Sequence, residues 1–329
     1  MRAITYSDFG SARDVLHMKE LDAIAPQAGE VRVKLIFSGV NPSDVKSRAG
    51  RPGLDKPAFA EIIPHSDGAG VIDAVGDGVN PDRIGQRVWI WNGQWQRPHG
   101  TAAEFITLPA DMAVPLPDGV SFETGAILGI PGLTAAEAVF GGGDISGQTV
   151  LISGGAGTVG LLAVQLAKWG GAKVITTCSP RDMDRVKDAG ADAVLDYSAP
   201  DIAAQILNAN DGAPIPTVIE VEFGVNVELN AEVIAPNGRL AVYGSAKNMQ
   251  PVLPFFPLLF KAVTIDIILI YLLPKPERDA RVSLLHAALT DKALTCPVER
   301  VYPLAETAAA HEAVEAGGRA GAVLIDCQG

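Results

Sequence analysis

Cysteine is scarce in this chain: three among 329 residues, Cys178, Cys296 and Cys327, with none before position 178. They share no C-x-x-C spacing, so neither a disulfide framework nor a zinc-finger-like cluster can be assembled, and a reducing cytoplasm is the expected compartment. Positive charge is also short. Lys and Arg number 26 against 38 Asp and Glu, a net charge of −12, which argues against nucleic acid or an anionic membrane surface as the main partner. Uninterrupted apolar runs are missing too. The most apolar region, residues 251–273, is broken by three prolines, Lys261 and Asp266. A membrane span needs roughly 20 apolar residues in a row, so this stretch is expected to be buried core or subunit interface. The opening residues Met1-Arg2-Ala3-Ile4-Thr5-Tyr6 read as strand and carry no apolar signal core. No internal repeat or low-complexity tract is present.

What remains is an ordinary globular composition, 48% hydrophobic and 19% charged, in a chain long enough for two domains. Residues 1–123 are rich in Gly and Pro, with strand-like runs at 31–37, 70–75, 87–91 and 103–108, which predicts a compact β-rich domain. From about 124 the rhythm changes. Residues 124–140 read as one helix, and short strands then alternate with helices through Gly244, the pattern of a doubly wound parallel sheet. We expect an α/β domain over 124–268. The tail, 269–329, holds a helix near 278–290, a strand at 299–302, a helix at 307–316 and a last strand at 322–326, and is expected to return to the first domain.

One stretch organises the middle of the chain: Val150-Leu151-Ile152-Ser153-Gly154-Gly155-Ala156-Gly157-Thr158-Val159-Gly160. A β-branched strand runs into glycines, and apolar residues then recur at helical spacing through Trp169. Gly155, Gly157 and Gly160 fit G-x-G-x-x-G within a βαβ unit, where the motif binds a dinucleotide. The first glycine permits the turn, the second admits a pyrophosphate against the backbone, and the third lets helix and strand pack. Free N–H groups at Thr158, Val159 and Gly160 would face the phosphates. The second strand ends Thr177-Cys178-Ser179-Pro180-Arg181, with no acid at its tip to hold a ribose diol. Ser179 and Arg181, with Arg185 a turn later, suit a 2′-phosphate and favour NADPH over NADH, although Asp182 weakens the positive potential there.

Further strings complete a likeness. They are Gly39-Val40-Asn41-Pro42-Ser43-Asp44, Pro64-His65-Ser66-Asp67-Gly68-Ala69-Gly70-Val71, Gly100-Thr101-Ala102-Ala103-Glu104-Phe105, Pro131-Gly132-Leu133-Thr134-Ala135, Ala189-Gly190-Ala191-Asp192 and Gly238-Arg239-Leu240. Together with the glycine turn they resemble, in order and over nearly the full length, the zinc-independent quinone oxidoreductase (zeta-crystallin-like) branch of the medium-chain dehydrogenase/reductase superfamily. The resemblance implies a GroES-like catalytic domain built from both chain ends, a central NADPH-binding Rossmann domain and a homodimer. Zinc-dependent relatives have cysteine where Asn41 stands, histidine where Ser66 stands and a second cysteine where Ile130 stands. Isoleucine cannot ligate, and the pair left over is a poor zinc set. His65, beside the ligand position, is read as structural, and no metal is expected.

Without a Lewis acid to polarise an alcohol, hydride transfer favours acceptors that stabilise the incoming charge themselves. The expected activity is NADPH-dependent reduction of quinones. A 2-alkenal, enone or enoyl thioester is the alternative acceptor class, and an NADPH-binding protein with little turnover is a further alternative. Asn41 is the candidate polar group toward nicotinamide and substrate, with a turn role before Pro42 as its alternative. Asp44 is expected to hold its loop. Lys46 stands where relatives often have tyrosine and is a candidate proton donor or an ordinary surface lysine. Trp91 and Trp95, with Trp89, are candidates to line a substrate pocket or to fill the core, and Tyr271 is a candidate for the pocket wall. By family position Thr134 lies near the nicotinamide and Tyr197 near the adenosine phosphate. Gly244 and Ser245 end a sheet strand on the ligand-binding side.

Overall fold

The computed structural model describes residues 1–50 and 53–329. They divide into two compact units, Met1–Ile130 with Cys296–Gly329, and Pro131–Thr295. The divisions lie a few residues beyond position 123 and well beyond position 268. The helix Phe122–Ile127 packs on the strands Glu30–Val40 and Asp67–Val75 of the first unit, whereas the 16-residue helix Lys275–Thr290 packs on Leu133–Phe140 of the second.

The first unit is built on a seven-stranded sheet. Its path runs Val298–Pro303, Ala322–Asp326, Glu30–Val40, Asp67–Val75, Arg87–Ile90 and Ala113–Pro115, with Phe105–Pro109 also paired to Glu30–Val40. The long strand Glu30–Val40 shows why. Val31, Val33 and Leu35 alternate with Arg32 and Lys34, and the three apolar side chains are fully buried, the period-two pattern of a sheet with one face on the core. The chain's last strand lies antiparallel against it, pairing Val323 with Val40 and Asp326 with Phe37. The C-terminal segment is thereby stitched into the middle of the sheet. A core of Ile4, Val31, Val33, Leu35, Ile63, Ile72, Leu108 and Ile325 fills this unit.

The second unit carries a six-stranded, wholly parallel sheet in the order Ala193–Asp196, Lys173–Cys178, Thr149–Ser153, Ile215–Glu220, Ile234–Val242, Thr264–Ile267. Numbered along the chain this is 3-2-1-4-5-6, the doubly wound order that binds ligand where the winding reverses, between strands 1 and 4. Its strands are near-continuous Val/Ile/Leu runs, as parallel strands covered on both faces require. Val150, Ile152, Val174, Ile175, Val218 and Ile219 are at most 0% exposed.

Two expectations need correction. Residues 124–140 are not one helix. The helix Phe122–Ile127 passes into a π-helical segment, Leu128–Gly132, before Leu133–Phe140 resumes. Pro131 has no N–H and its ring collides with the carbonyl four residues back, so the ladder widens there. For residues 251–273, expected to be buried core or subunit interface, the first alternative fails. Val252, Phe255, Phe256, Phe260 and Ile267 are 85%, 62%, 66%, 84% and 76% exposed. Ile267 lies on Thr264–Ile267, the edge strand of the parallel sheet, and the three phenylalanines on the helix Phe255–Phe260 that precedes it in the chain. Among the described residues, no helix is long and apolar enough to cross a membrane.

Candidate functional site

In the first unit the candidate residues gather around one carboxyl. Asp67 begins the strand Asp67–Val75 and is fully buried. Its Oδ2 accepts the Asn41 amide Nδ2 at 2.8 Å, and the backbone N–H of Ile130 reaches Oδ1 at 2.8 Å and Oδ2 at 3.0 Å. The π-helical segment makes this possible, because it aims the Ile130 N–H out of the helix ladder. Gly129 makes room for it: a Cβ there would stand 2.1 Å from Asp67 Oδ1. Asp44 lies one helical turn beyond Asn41 and accepts the Asn41 backbone N–H at 2.8 Å, capping the helix Pro42–Ala49. Burial pushes the Asp44 carboxyl up to about 7 and Asp67 well above the usual carboxylate range, the hydrogen bonds from Asn41, Ser66 and Ile130 opposing it. Desolvation outweighs these bonds at both carboxyls, and at Asp67 the neighbouring Asp44 charge adds to it.

Two of the three positions where zinc-dependent relatives carry ligands bond Asp67 instead. Asn41 gives its amide to Asp67, and Ile130 gives its backbone N–H to the same group. Ser66 is 3% exposed and has only a hydroxyl to offer. A zinc ion needs thiolate, imidazole or carboxylate donors converging on one point. Among the described residues no group of three or more His, Cys, Asp or Glu is so placed. The donor set does not fit the metal.

A buried hydrogen-bond chain stands behind Asp67, and each proton in it can be assigned. Thr101 Oγ1 donates to the Asp67 carbonyl at 2.6 Å, so it must accept from Ser38 Oγ at 2.8 Å. Ser38 has then spent its only hydrogen, and His65 Nδ1, 2.9 Å away, must donate to it. His65 Nε2 is left as an acceptor for His311 Nε2–H at 2.8 Å. Both imidazoles are neutral, since burial drives His65 well below its ordinary range and His311 down to about 3, the Arg48 charge adding to the second shift. Both ring nitrogens of His65 are thus engaged, by Ser38 and His311. Sequence reasoning misses His311, on the C-terminal helix Thr307–Ala316, and Asp67 as the hub. The only local signal for Asp67 is a carboxylate at the head of a strand whose next five residues carry no charge.

The remaining candidates of this unit scatter. Lys46 is exposed on the helix Pro42–Ala49. Trp89 and Trp91 are 0% and 6% exposed, within the wall of the unit and not on an open face, while Trp95 is half-buried.

In the second unit the glycine turn has the expected form. Gly154 takes φ +71°. A Cβ on Gly155 would meet Thr176 Oγ1 at 2.1 Å, and one on Gly160 would meet the Gly154 carbonyl at 2.2 Å, so both glycines are required by close packing. A Cβ on Gly157 meets nothing nearer than 3.5 Å. That backbone is open, as a site for a pyrophosphate must be. Gly157 caps the twelve-residue helix Thr158–Trp169, whose first N–H groups have no partners within it. These residues fit a dinucleotide. At the tip of the next strand, Ser179, Arg181 and Arg185 lie close together, joined through Asp182. Tyr197 is 60% exposed and its N–H bonds the Cys178 carbonyl at that same tip. Gly244 is pinned by the Val221 carbonyl, 2.4 Å from where its Cβ would stand. Ser245 closes the adjoining loop, accepting from Gly224 N at 2.9 Å and donating to the Asn248 carbonyl. Thr134 is 7% exposed in the helix Leu133–Phe140, and Tyr271 is half-buried in a 3-10 turn.

Comparison with known proteins gives the same division. Residues 27–118 match the alcohol dehydrogenase GroES-like domain family and residues 158–285 the zinc-binding dehydrogenase family. A quinone oxidoreductase of Rattus norvegicus is 29% identical over 99% of this chain and 97% of its own. One from Pseudomonas aeruginosa is 32% identical over 74% of each chain. A solved mycobacterial structure complexed with NADPH superimposes with a TM-score of 0.86, at 29% identity and 99% coverage of both chains.

The buried histidines make a prediction about acid stability. His311 titrates near 6.5 when unfolded and near 3 in the fold, so unfolding takes up a proton in that window and stability falls as pH drops through it. Asp44 and Asp67, raised in the fold, release protons on unfolding and oppose this slope. His311→Gln keeps a donor toward His65 but removes one titrating group. The pH slope of the unfolding free energy between pH 4 and 6 is expected to decrease by about 1.4 kcal/mol per pH unit. Denaturant titrations across that range showing an unchanged slope would contradict the neutral, buried assignment.

Proposed function

We propose that this chain, which belongs to the medium-chain dehydrogenase/reductase superfamily and within it to the quinone oxidoreductase branch, is an NADPH-dependent reductase that delivers hydride to quinones without a metal ion. The observation that carries the reading is the glycine turn, closed to side chains at Gly155 and Gly160 and open at Gly157. It is supported by the hydroxyl and two guanidinium groups at the tip of the second strand, the chemistry of a phosphomonoester site, and by a relative solved with NADPH.

Gly155, Gly157, Thr158, Val159 and Gly160 would hold the pyrophosphate, and Ser179 and Arg181 the 2′-phosphate. Tyr197 would lie along the adenosine, with Thr134, Gly244 and Ser245 toward the nicotinamide. When bound, NADPH supplies the hydride. The Asn41 side chain is locked by Asp67 through one N–H, which fixes the plane of its amide, and we assign it to the nicotinamide and substrate end. Asp44 and Asp67 act as positioning residues that hold Asn41 from its backbone and its side chain. Lys46, exposed one turn along that helix, is the candidate to assist protonation of the reduced product, which water can also perform. The acceptor is a small quinone or a related α,β-unsaturated carbonyl, and the compartment is the cytoplasm.

The functional unit we propose is a homodimer joined at the parallel sheet's edge. Among the described residues, the strand Thr264–Ile267 has a neighbour on one side only; Ile267 on it is exposed, as are Phe255, Phe256 and Phe260 on the helix that precedes it in the chain. An uncovered edge with that much apolar surface is an association site.

Two measurements test the reading. Steady-state oxidation of NADPH by a benzoquinone is expected, and Asn41→Ala should lower kcat/KM by about ten- to a hundred-fold through lost positioning. Turnover confined to 2-alkenals or enoyl thioesters would reassign the substrate, and oxidation by none of these would overturn the reductase. Sedimentation equilibrium should give twice the 34.3 kDa chain mass, with Ile267→Lys shifting the protein to monomer. A monomeric wild type would refute the dimer.

A further inference from the structure

Three groups suited to a phosphate already hold an anion of the chain's own. The Asp182 carboxylate accepts Ser179 Oγ–H at 3.1 Å, Arg181 Nε at 3.2 Å and Arg185 Nη2 at 3.1 Å. It uses both oxygens, Oδ2 for Ser179 and Arg181 and Oδ1 for Arg185. The side chain is only 15% exposed, whereas Arg181 is 64% exposed and Arg185 26%. Arg185 Nη2 also donates to the Ala156 carbonyl at 3.0 Å, inside the glycine turn. The carboxylate therefore sits at the centre of the cluster and ties it to the phosphate-binding loop.

We infer that Asp182 is an intramolecular stand-in for the 2′-phosphate of NADPH, occupying its Ser179–Arg181–Arg185 cradle until the cofactor displaces it, and so a specificity-determining residue that reduces the affinity for NADPH. The inference rests on the assignment of that cradle to the 2′-phosphate. The physical reason is competition for donors. A 2′-phosphate carries nearly two negative charges and three acceptor oxygens, so it outbids one carboxylate for two guanidiniums. It must nonetheless break the existing ion pairs and displace a like charge. NADH has no 2′-phosphate and leaves the internal pairs intact. The arginines hold Asp182 below the usual carboxylate range, burial opposing them, so the stand-in is charged throughout the neutral range.

Asp182→Asn retains the shape and removes the charge. Fluorescence titration of the full-length protein is expected to show NADPH binding about tenfold tighter and the NADPH-to-NADH affinity ratio rising by a similar factor. Asp182→Ser, which frees the cradle without an amide, should act in the same direction. The adenosine fragment 2′,5′-ADP should follow NADPH, while 5′-AMP should not. Arg185→Ala is the control for the cradle itself and should weaken NADPH and 2′,5′-ADP. If Arg185→Ala weakens them but neither Asp182 variant tightens them, the stand-in is wrong and the cradle stands. If wild type binds NADPH and NADH equally and Arg185→Ala changes neither, the cradle assignment fails and the inference with it.

Discussion

The carboxyl of Asp67 is the constraint on which the first unit's candidate site depends. It is fully buried, and a buried carboxyl without partners costs several kcal/mol. The chain meets that cost with local departures from regular structure. Gly129 yields space that any side chain would fill, Pro131 widens the helix so that the Ile130 N–H leaves its ladder, and Asn41 turns its amide inward. Behind the strand, Thr101, Ser38, His65 and His311 fix the Asp67 carbonyl through a chain of hydrogen bonds with one direction. Where zinc-dependent relatives converge three ligands on a cation, this chain converges donors on a buried carboxyl.

The nucleotide unit works by the opposite economy. Its glycines remove side chains so that backbone can be approached, and the Asp182 carboxylate at the strand tip is held by two arginines. The proposed reactivity rests on the side chains at Asn41, Ser66 and Ile130. On the metal-free reading proposed above, no cation stabilises an alkoxide and the acceptor would spread its own developing charge, as quinones and conjugated carbonyls do.

Much of this was legible in the sequence because it is written in local pattern. The parallel strands are β-branched runs separated by helical periodicity, and their alternation read out a doubly wound parallel sheet, though not its strand order. The glycine turn was legible for the same reason, as was the vulnerability of Arg181 to a neighbouring Asp182. Other features depend on tertiary packing. Pro131 marks a break within 124–140, but only the Asp67 carboxyl, 63 residues away, explains why the widened segment is retained. His65 and His311 are 246 residues apart, and nothing local links them. Residues 251–273 left core and interface undivided because apolar composition reports a need for burial and not what supplies it. Trp91 shows the same limit: an aromatic suited to a flat substrate packs equally well into a wall.

The metal content of active protein tests the central claim most directly. Protein purified without added metal, dialysed against a strong chelator and assayed for NADPH oxidation by a benzoquinone should keep its full rate while holding far less than one metal ion per chain. Zinc bound in a one-to-one ratio, with turnover lost on its removal and restored on its return, would contradict the account.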